Sequence, residues 1–264
     1  MIHPTSEVVE LKKHRDLKCG YHSMTLGPYS RSVECLPGSF VHLQIPDGSI
    51  FLRRAMSVAA IDPRRKELEI IFKVLGRGTT LLAKCAEGIS LNILGPLGVP
   101  FTLPSKDETI VMVAGGVGFP PLMFLSETLT SRGFKPANIH FFYGGKAGGE
   151  IVERARIKKL GVKFYPVTDD GSFGVKGLVT KPVEQFIRKN QDATLRIYAC
   201  GPDPMLRAVN ALGLKYSIAG QVSLEAPMPC GIGVCLGCVV PLTSGEYARV
   251  CCEGPVFNIG EVKL

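Results

Sequence analysis

The sequence predicts an all-β unit joined to an α/β unit: a small antiparallel β-barrel, then a parallel sheet covered by helices, then a short cysteine-rich domain. Three observations predict it. Residues 1–103 carry short apolar runs punctuated by Gly, Pro and Asp, with one helical stretch at 79–85, the pattern of a small barrel. Residues 104–222 alternate apolar, β-branched runs with helical stretches, which is the rhythm of a parallel sheet with both faces covered. Residues 223–264 hold five of the nine cysteines and little periodicity of their own. A chain of 264 residues suits this division at roughly 100–200 residues per domain.

In the barrel region, strands are expected at 39–45, ahead of Pro46-Asp47-Gly48, and at 67–75, ahead of Gly76. In the second region, strands are expected at 109–114, 138–143, 162–167, 194–200 and 216–219, with helices at 120–131, 151–159, 181–189 and 204–212. Pro120 and Pro121 suit the first turn of a helix, where a missing N–H costs nothing. A tail as short as 223–264 needs a staple, and a metal is the obvious one. No internal repeat or low-complexity segment is present.

With 45% hydrophobic and 20% charged residues, disorder and collagen-like structure are excluded. Glycine, at 30 residues, exceeds the typical ~7% and points to tight turns or close backbone approaches to a ligand. The +8 net charge fits a solvated surface, an anionic cofactor, an acidic partner or nucleic acid. The scattered and clustered cysteines do not form the evenly studded pattern of a secreted disulfide scaffold. Met1-Ile2-His3-Pro4-Thr5-Ser6 opens no signal peptide. The most apolar window, 109–125, is broken by Gly115, Gly116, Gly118, Pro120 and Pro121, short of the ~20 uninterrupted residues of a membrane span. The expectation is a soluble, cytoplasmic protein with reduced thiols.

Cys230, Cys235 and Cys238 follow the spacing C-x4-C-x2-C, with Cys251 after twelve intervening residues. This is the plant-type spacing for a [2Fe–2S] cluster. Gly231, Gly233 and Gly237 let the backbone curl until peptide N–H groups meet the negatively charged sulfurs. The competing reading is a zinc site, although zinc more often takes C-x2–4-C pairs in both halves. Here the second half offers the adjacent Cys251 and Cys252, and neighbouring cysteines rarely ligate one ion together.

Gly115-Gly116-Val117-Gly118 follows an apolar strand and precedes a helix, a junction that offers N–H groups to a phosphate, though its spacing is not G-x-G-x-x-G. Taken alone it is equally an ordinary turn. Gly76-Arg77-Gly78-Thr79-Thr80 sits at a second strand–helix junction, either a helix cap or a second phosphate cradle. Arg54 and Ser57 lie in the strand-like run Phe51–Val58. Arg54 is either a solvated edge charge or a pyrophosphate partner. On an ideal strand the two residues face opposite sides, so one ligand reaches both only by wrapping the strand end. Cys200 also fits a small buried apolar residue at a strand end.

The order of these pieces carries a resemblance. Arg54-x-x-Ser57, Gly76-x-Gly78-Thr79, Gly95-Pro96-Leu97-Gly98 and Gly115–Gly118 are followed by Thr168-Asp169-Asp170-Gly171-Ser172. Cys200-Gly201-Pro202-Asp203-Pro204-Met205 comes next, and then the four-cysteine tail with Gly254-Pro255-Val256-Phe257. The chain resembles the ferredoxin–NAD(P) reductase superfamily over nearly its whole length and, within it, the iron–sulfur electron-transfer subunits of dihydroorotate dehydrogenase B.

The resemblance implies FAD held by Arg54, Ala55, Met56 and Ser57, by the strand backbone at Ile71, Phe72 and Lys73, and by the loop at Gly78 and Thr79. It gives Ser57 the catalytic position beside the flavin ring. NAD would border Gly115, Gly116, Gly118, Cys200, Gly201 and Pro202, and the cluster would rest on Cys230, Cys235, Cys238 and Cys251. Ala55 replaces a frequent proline, and Met56 stands where an aromatic is common. The resemblance further implies an FMN-containing catalytic partner, in a heterotetramer of two plus two, that oxidises dihydroorotate in pyrimidine biosynthesis. Electrons would then pass singly through the cluster to FAD and on to NAD+, since a flavin bridges one- and two-electron carriers. Two anionic dinucleotides and a negative cluster suit the basic charge, a solvated surface is equally sufficient, and nucleic acid is not needed to explain it. Lys146 leaves NADP open, while the resemblance favours NAD. The alternatives are an NAD(P)H-linked reductase subunit for ferredoxin, sulfide or hydrogenase chemistry, and a non-enzymatic, zinc-stapled nucleotide-binding module.

Overall fold

A computed structural model describes residues 4–264; residues 1–3, part of the stretch expected to carry no leader, lie outside the described residues. Six strands close an antiparallel barrel: β1 (Thr5–Lys18), β2 (Tyr21–Gly27), β3 (Phe40–Leu43), β4 (Arg54–Asp62), β5 (Glu67–Lys73) and β6 (Ser90–Leu97), in the order β1-β2-β5-β4-β3-β6. Between β5 and β6 lies the short helix α1 (Arg77–Leu82). Alternation sorts the faces. Val41 and Leu43 join the barrel core with Met24, Leu26, Met56 and Ile70, while Phe40 packs outward into a different cluster.

The second unit alternates strand and helix except where β10 follows β9 directly: β7 (Thr109–Gly115), α2 (Phe119–Ser131), β8 (Ile139–Gly145), α3 (Arg154–Lys159), β9 (Lys163–Thr168), β10 (Val175–Lys176), α4 (Thr180–Lys189), β11 (Leu195–Cys200), α5 (Asp203–Lys215) and β12 (Gly220–Ser223). β7 is central and buried on both faces. Ile110 and Met112 pack under α2, while Val111 and Val113 pack on the opposite face with Val183 and Val209, as a two-residue period requires. α2 is buried along most of its length because it is wedged between sheet and barrel, and Phe124 on it joins the barrel core.

The strand expected at 216–219 is a turn instead. α5 continues to Lys215, Ser217 takes φ 53°, and pairing with β11 begins at Gly220. Gly220 is required there because a Cβ would stand 2.4 Å from the Ile197 carbonyl oxygen.

The tail contributes a small hairpin, β13 (Val239–Pro241) with β14 (Tyr247–Arg249), and β15 (Val256–Asn258), which pairs antiparallel with β12 and completes a seven-stranded sheet in the order β10-β9-β8-β7-β11-β12-β15. The tail also reaches the barrel, since the Val99 N–H donates to the Gly254 carbonyl at 2.6 Å. Among the described residues no helix is long and apolar enough to cross a membrane.

Ion pairs fix barrel against sheet. Glu69 on β5 accepts from Arg156 on α3 at 2.5 Å and from Arg15 on β1 at 2.9 Å; Arg156 also holds Glu127, and Arg15 holds Glu153. Lys73 reaches Glu150 at 2.7 Å.

Candidate functional site

The barrel opens along one seam. β4 and β5 pair from Asp62↔Glu67 to Val58↔Ile70 and then part. Beyond that point Arg54–Ser57 pairs only with β3, and Ile71–Lys73 pairs only with β2. Two backbone edges therefore face each other without a shared ladder, and such edges seek partners. At the mouth of the seam, the Arg54 guanidinium lies over Gly78, where a Cβ would stand 2.9 Å from Nε. Only glycine lets the arginine lie this close to the loop. Thr79 Oγ1 accepts from the N–H groups of Leu75 and Gly76 at 2.9 and 3.2 Å, bracing the loop.

The four residues of the β4 segment divide by face. Ser57 lies opposite Phe40, and Ala55 opposite His42, on the outer face; Ala55 is exposed and Ser57 half-buried. Met56 packs into the barrel core, so its backbone alone is available to a ligand. Lys73 directs its amine to Glu150 and over the Tyr21 ring, 5.1 Å from the centroid. Its backbone stays at the seam.

A second crevice lies at the carboxyl ends of β7 and β11. The chain runs outward from β7 through β8, β9 and β10, then returns to the other side of β7 as β11 and β12. Ligands of open α/β sheets bind at this reversal. The loops flanking it are Gly115–Gly118 and Cys200–Pro202, and they interlock. A Cβ on Gly118 would stand 2.2 Å from the Cys200 carbonyl oxygen, one on Gly115 2.8 Å from Pro202 Cδ, and one on Gly201 2.9 Å from the Gly115 nitrogen. Although part of Cys200 reaches the surface, burial pushes its thiol up to about 12. Gly116, at φ +52°, turns toward Tyr21 Oη, 3.7 Å from where its Cβ would be. Tyr21 sits opposite Lys73 in the barrel register, so crevice and seam adjoin.

Of the five cysteines of the tail, Cys230 lies beside Cys235, and Cys238 beside Cys251 with Cys252 next to it. Burial opposes ionisation of Cys230, but the N–H groups of Cys235, Ile232 and Val234 and the Cys235 side chain overcome it and bring Cys230 down to about 6. Cys238 and Cys251 are buried with their sulfurs 3.3 Å apart. Burial, Cys238 and Cys252 push the Cys251 thiol up. Gly231 and Gly233 take φ +72° and +78°, as does Leu236 at +58°, while Gly237 donates its N–H to Cys235 Sγ at 3.4 Å. Cys252 stands 3.6 Å from Cys251 and backs onto Gly233. Among the described residues no three His, Cys, Asp or Glu side chains converge on one metal position. Cys230 with Cys235 and Cys238 with Cys251 are soft thiol donors that could hold a metal, and backbone N–H groups surround the first pair.

Sequence reasoning passed over His42. It lies on β3 between Ala55 and Leu94, wholly buried, and its ring presses on Gly231 of the cysteine loop. Among the described residues neither ring nitrogen has a hydrogen-bond partner. The signal was the alternation in Phe40-Val41-His42-Leu43, which puts a polar ring on the face opposite two core residues.

Residues 225–263 match the family described as the iron–sulfur cluster binding domain of dihydroorotate dehydrogenase B, and residues 112–211 match the oxidoreductase NAD-binding domain. The chain is 38% identical over 237 residues to the dihydroorotate dehydrogenase B (NAD(+)) electron transfer subunit of Fusobacterium nucleatum, covering 88% of each chain. It is 34% identical to that of Streptococcus pneumoniae R6, covering 86% of this chain and 87% of that one. Among solved structures, it superposes on an NADH-dependent reduced ferredoxin–NADP oxidoreductase with TM-score 0.84 at 26% identity, covering 97% of this chain and 89% of that one. A Neisseria gonorrhoeae ferredoxin NADP+ reductase with bound FAD and NADP shares the fold at TM-score 0.67 and 19% identity, covering 80% of this chain and 91% of that one.

Proposed function

The chain belongs to the family of dihydroorotate dehydrogenase B (NAD(+)) electron transfer subunits, and from that premise we propose how its parts relay electrons between a catalytic subunit that oxidises dihydroorotate and NAD+. The observation that carries the reading is the position of residues 54–57. One edge of this segment borders the seam toward Ile71–Lys73, beside which Tyr21 reaches Gly116; the other pairs with β3, whose His42 abuts the cysteine loop. A flavin held there lies between a nucleotide crevice and a cluster.

Arg54, with Gly78 and Thr79, takes the FAD pyrophosphate; the planar guanidinium suits phosphate oxygens. The backbone of Ile71, Phe72, Lys73, Ala55 and Met56 lines the seam, and Ser57 presents its hydroxyl to the flavin ring. Gly115, Gly116, Gly118, Cys200, Gly201 and Pro202 orient NAD. Cys230, Cys235, Cys238 and Cys251 hold the [2Fe–2S] cluster. FAD supplies the exchange between hydride, two electrons at once, and the single electrons of the cluster. The residues themselves bind, orient and exclude water, and hydride transfer at this end needs no side-chain base.

The catalytic subunit docks at the exposed end of the cluster loop. Val234 is 75% exposed and Leu236 60%, with Ile232 beside them, around the exposed Cys235. An apolar patch at a redox site suits a protein partner. The partner carries FMN, the assembly is a cytoplasmic heterotetramer of two plus two, and no nucleic acid takes part.

The test mixes this chain with the catalytic subunit and follows NADH formation from dihydroorotate. NADH should appear only with both chains present. A stable, fully loaded complex that makes none would transfer the reading to an NAD(P)H-linked reductase for another partner.

A further inference from the structure

We propose that His42 donates a ring N–H hydrogen bond to the sulfur shell of the iron–sulfur cluster and thereby raises the cluster's readiness to accept its electron. The inference rests on the cluster reading above. His42 has no exposed surface, and both ring nitrogens lack a partner among the described residues. Leaving a buried polar group unpaired costs its full desolvation penalty, and each such group in a folded protein needs an explanation.

The surroundings supply one. Phe40 tilts against the ring at 5.7 Å between centroids, and the flanking register positions are Ala55 and Leu94. None of these side chains can accept a hydrogen bond. Against the ring also lies Gly231, the residue after Cys230; its Cβ would stand 2.7 Å from Cε1, 2.8 Å from Nδ1 and 3.0 Å from Nε2. Gly231, at φ +72°, lets the cysteine loop close over the imidazole. Burial and the Arg53 guanidinium push His42 down to about 4, so the ring is neutral at physiological pH and carries one N–H. A thiolate-ligated cluster gains negative charge when reduced, and an N–H donor stabilises that charge. Hydrogen bonds to the sulfurs are among the protein's levers on cluster potential.

The test titrates the loaded protein with dithionite and follows the reduced cluster by electron paramagnetic resonance. The cluster gains one electron; no bond forms or breaks at His42, which keeps its proton. His42→Phe should retain FAD and iron but shift the reduction equilibrium about tenfold against reduction, 59 mV for one electron. His42→Gln keeps an N–H donor and should lie nearer the wild type. In wild-type protein labelled with 15N-histidine, the reduced cluster should show a nitrogen coupling that His42→Gln abolishes. An unchanged midpoint in fully loaded His42→Phe overturns the proposal, as does a flavin potential that moves in place of the cluster's. Should His42→Phe fail to hold a cluster, absence of the 15N coupling in the wild type overturns it. A wild-type protein that binds no cluster defeats the functional reading itself, a separate result.

Discussion

Gly118 and the carbonyl of Cys200 touch so closely that no side chain fits between them: a Cβ on Gly118 would stand 2.2 Å from that oxygen. The contact locks the loop after β7 to the loop after β11, across the point where the strand order reverses. The obstacle is backbone and cannot swing aside. Gly118→Ala should therefore cost about 3 kcal/mol, the upper part of the range for overpacking, and raise the KM for NADH. Thermal unfolding and NADH–ferricyanide kinetics check both. A variant with unchanged melting and unchanged KM would remove the interlock from the account of the crevice.

Arg54 lies over Gly78, and Nη1 donates to the Leu52 carbonyl at 2.7 Å. Among the described residues its hydrogen bonds go to the backbone carbonyls of Leu52 and Arg53, with no acidic partner. Arg54→Ala should weaken FAD binding by about 10–100-fold, in keeping with ~1.5–3 kcal/mol for hydrogen bonds to charged groups, while the barrel still folds. Flavin retention on gel filtration and calorimetric titration of the apoprotein measure the loss.

Glu69 joins the two units through Arg156 and Arg15. Burial raises its carboxyl, but Arg156, Ser23 and Arg15 more than offset this and hold it below the ordinary 4.5. A carboxylate depressed in the folded state stabilises fully above its unfolded value and loses that contribution as pH falls through the folded value. Glu69→Gln should destabilise by about 3 kcal/mol at pH 7, the lower end for breaking a buried pair, because Arg156 keeps Glu127. The penalty should shrink below about pH 4.5. Urea unfolding of both proteins at pH 7 and pH 4 decides the matter.

Cys235 is the exposed member of the four proposed ligands. Cys235→Ser should lose the cluster's visible absorption and the dihydroorotate-to-NAD+ reaction, yet keep NADH oxidation by an artificial acceptor, which needs FAD alone. Loss of both activities with FAD still bound would contradict the order of the carriers.

Much of this molecule was legible in its residues. The change from punctuated strands to strand–helix alternation marked the barrel and the sheet, and the strands at 109–114 and 194–200 fall within one residue of β7 and β11. The opposite faces of Arg54 and Ser57 followed from a two-residue period, and the register bears this out, with Ser57 facing outward and Arg54 turned to Gly78 at the strand end. The strand placed at 216–219 failed because a helix end depends on what packs against it; α5 gained a turn, and the sheet edge began at Gly220.

The sequence by itself determined what depends on neighbours along the chain: the cysteine spacing, the glycines that permit left-handed turns, and the alternation that gives each strand two faces. The parting of β4 from β5, the seventh strand that the tail adds beside β12, and the closure of Gly231 over His42 were decided only by the tertiary structure. The physical reason is burial. Alternation says that Val41 and His42 point in opposite directions, but which of those directions is core and which meets the cysteine loop depends on segments nearly two hundred residues away.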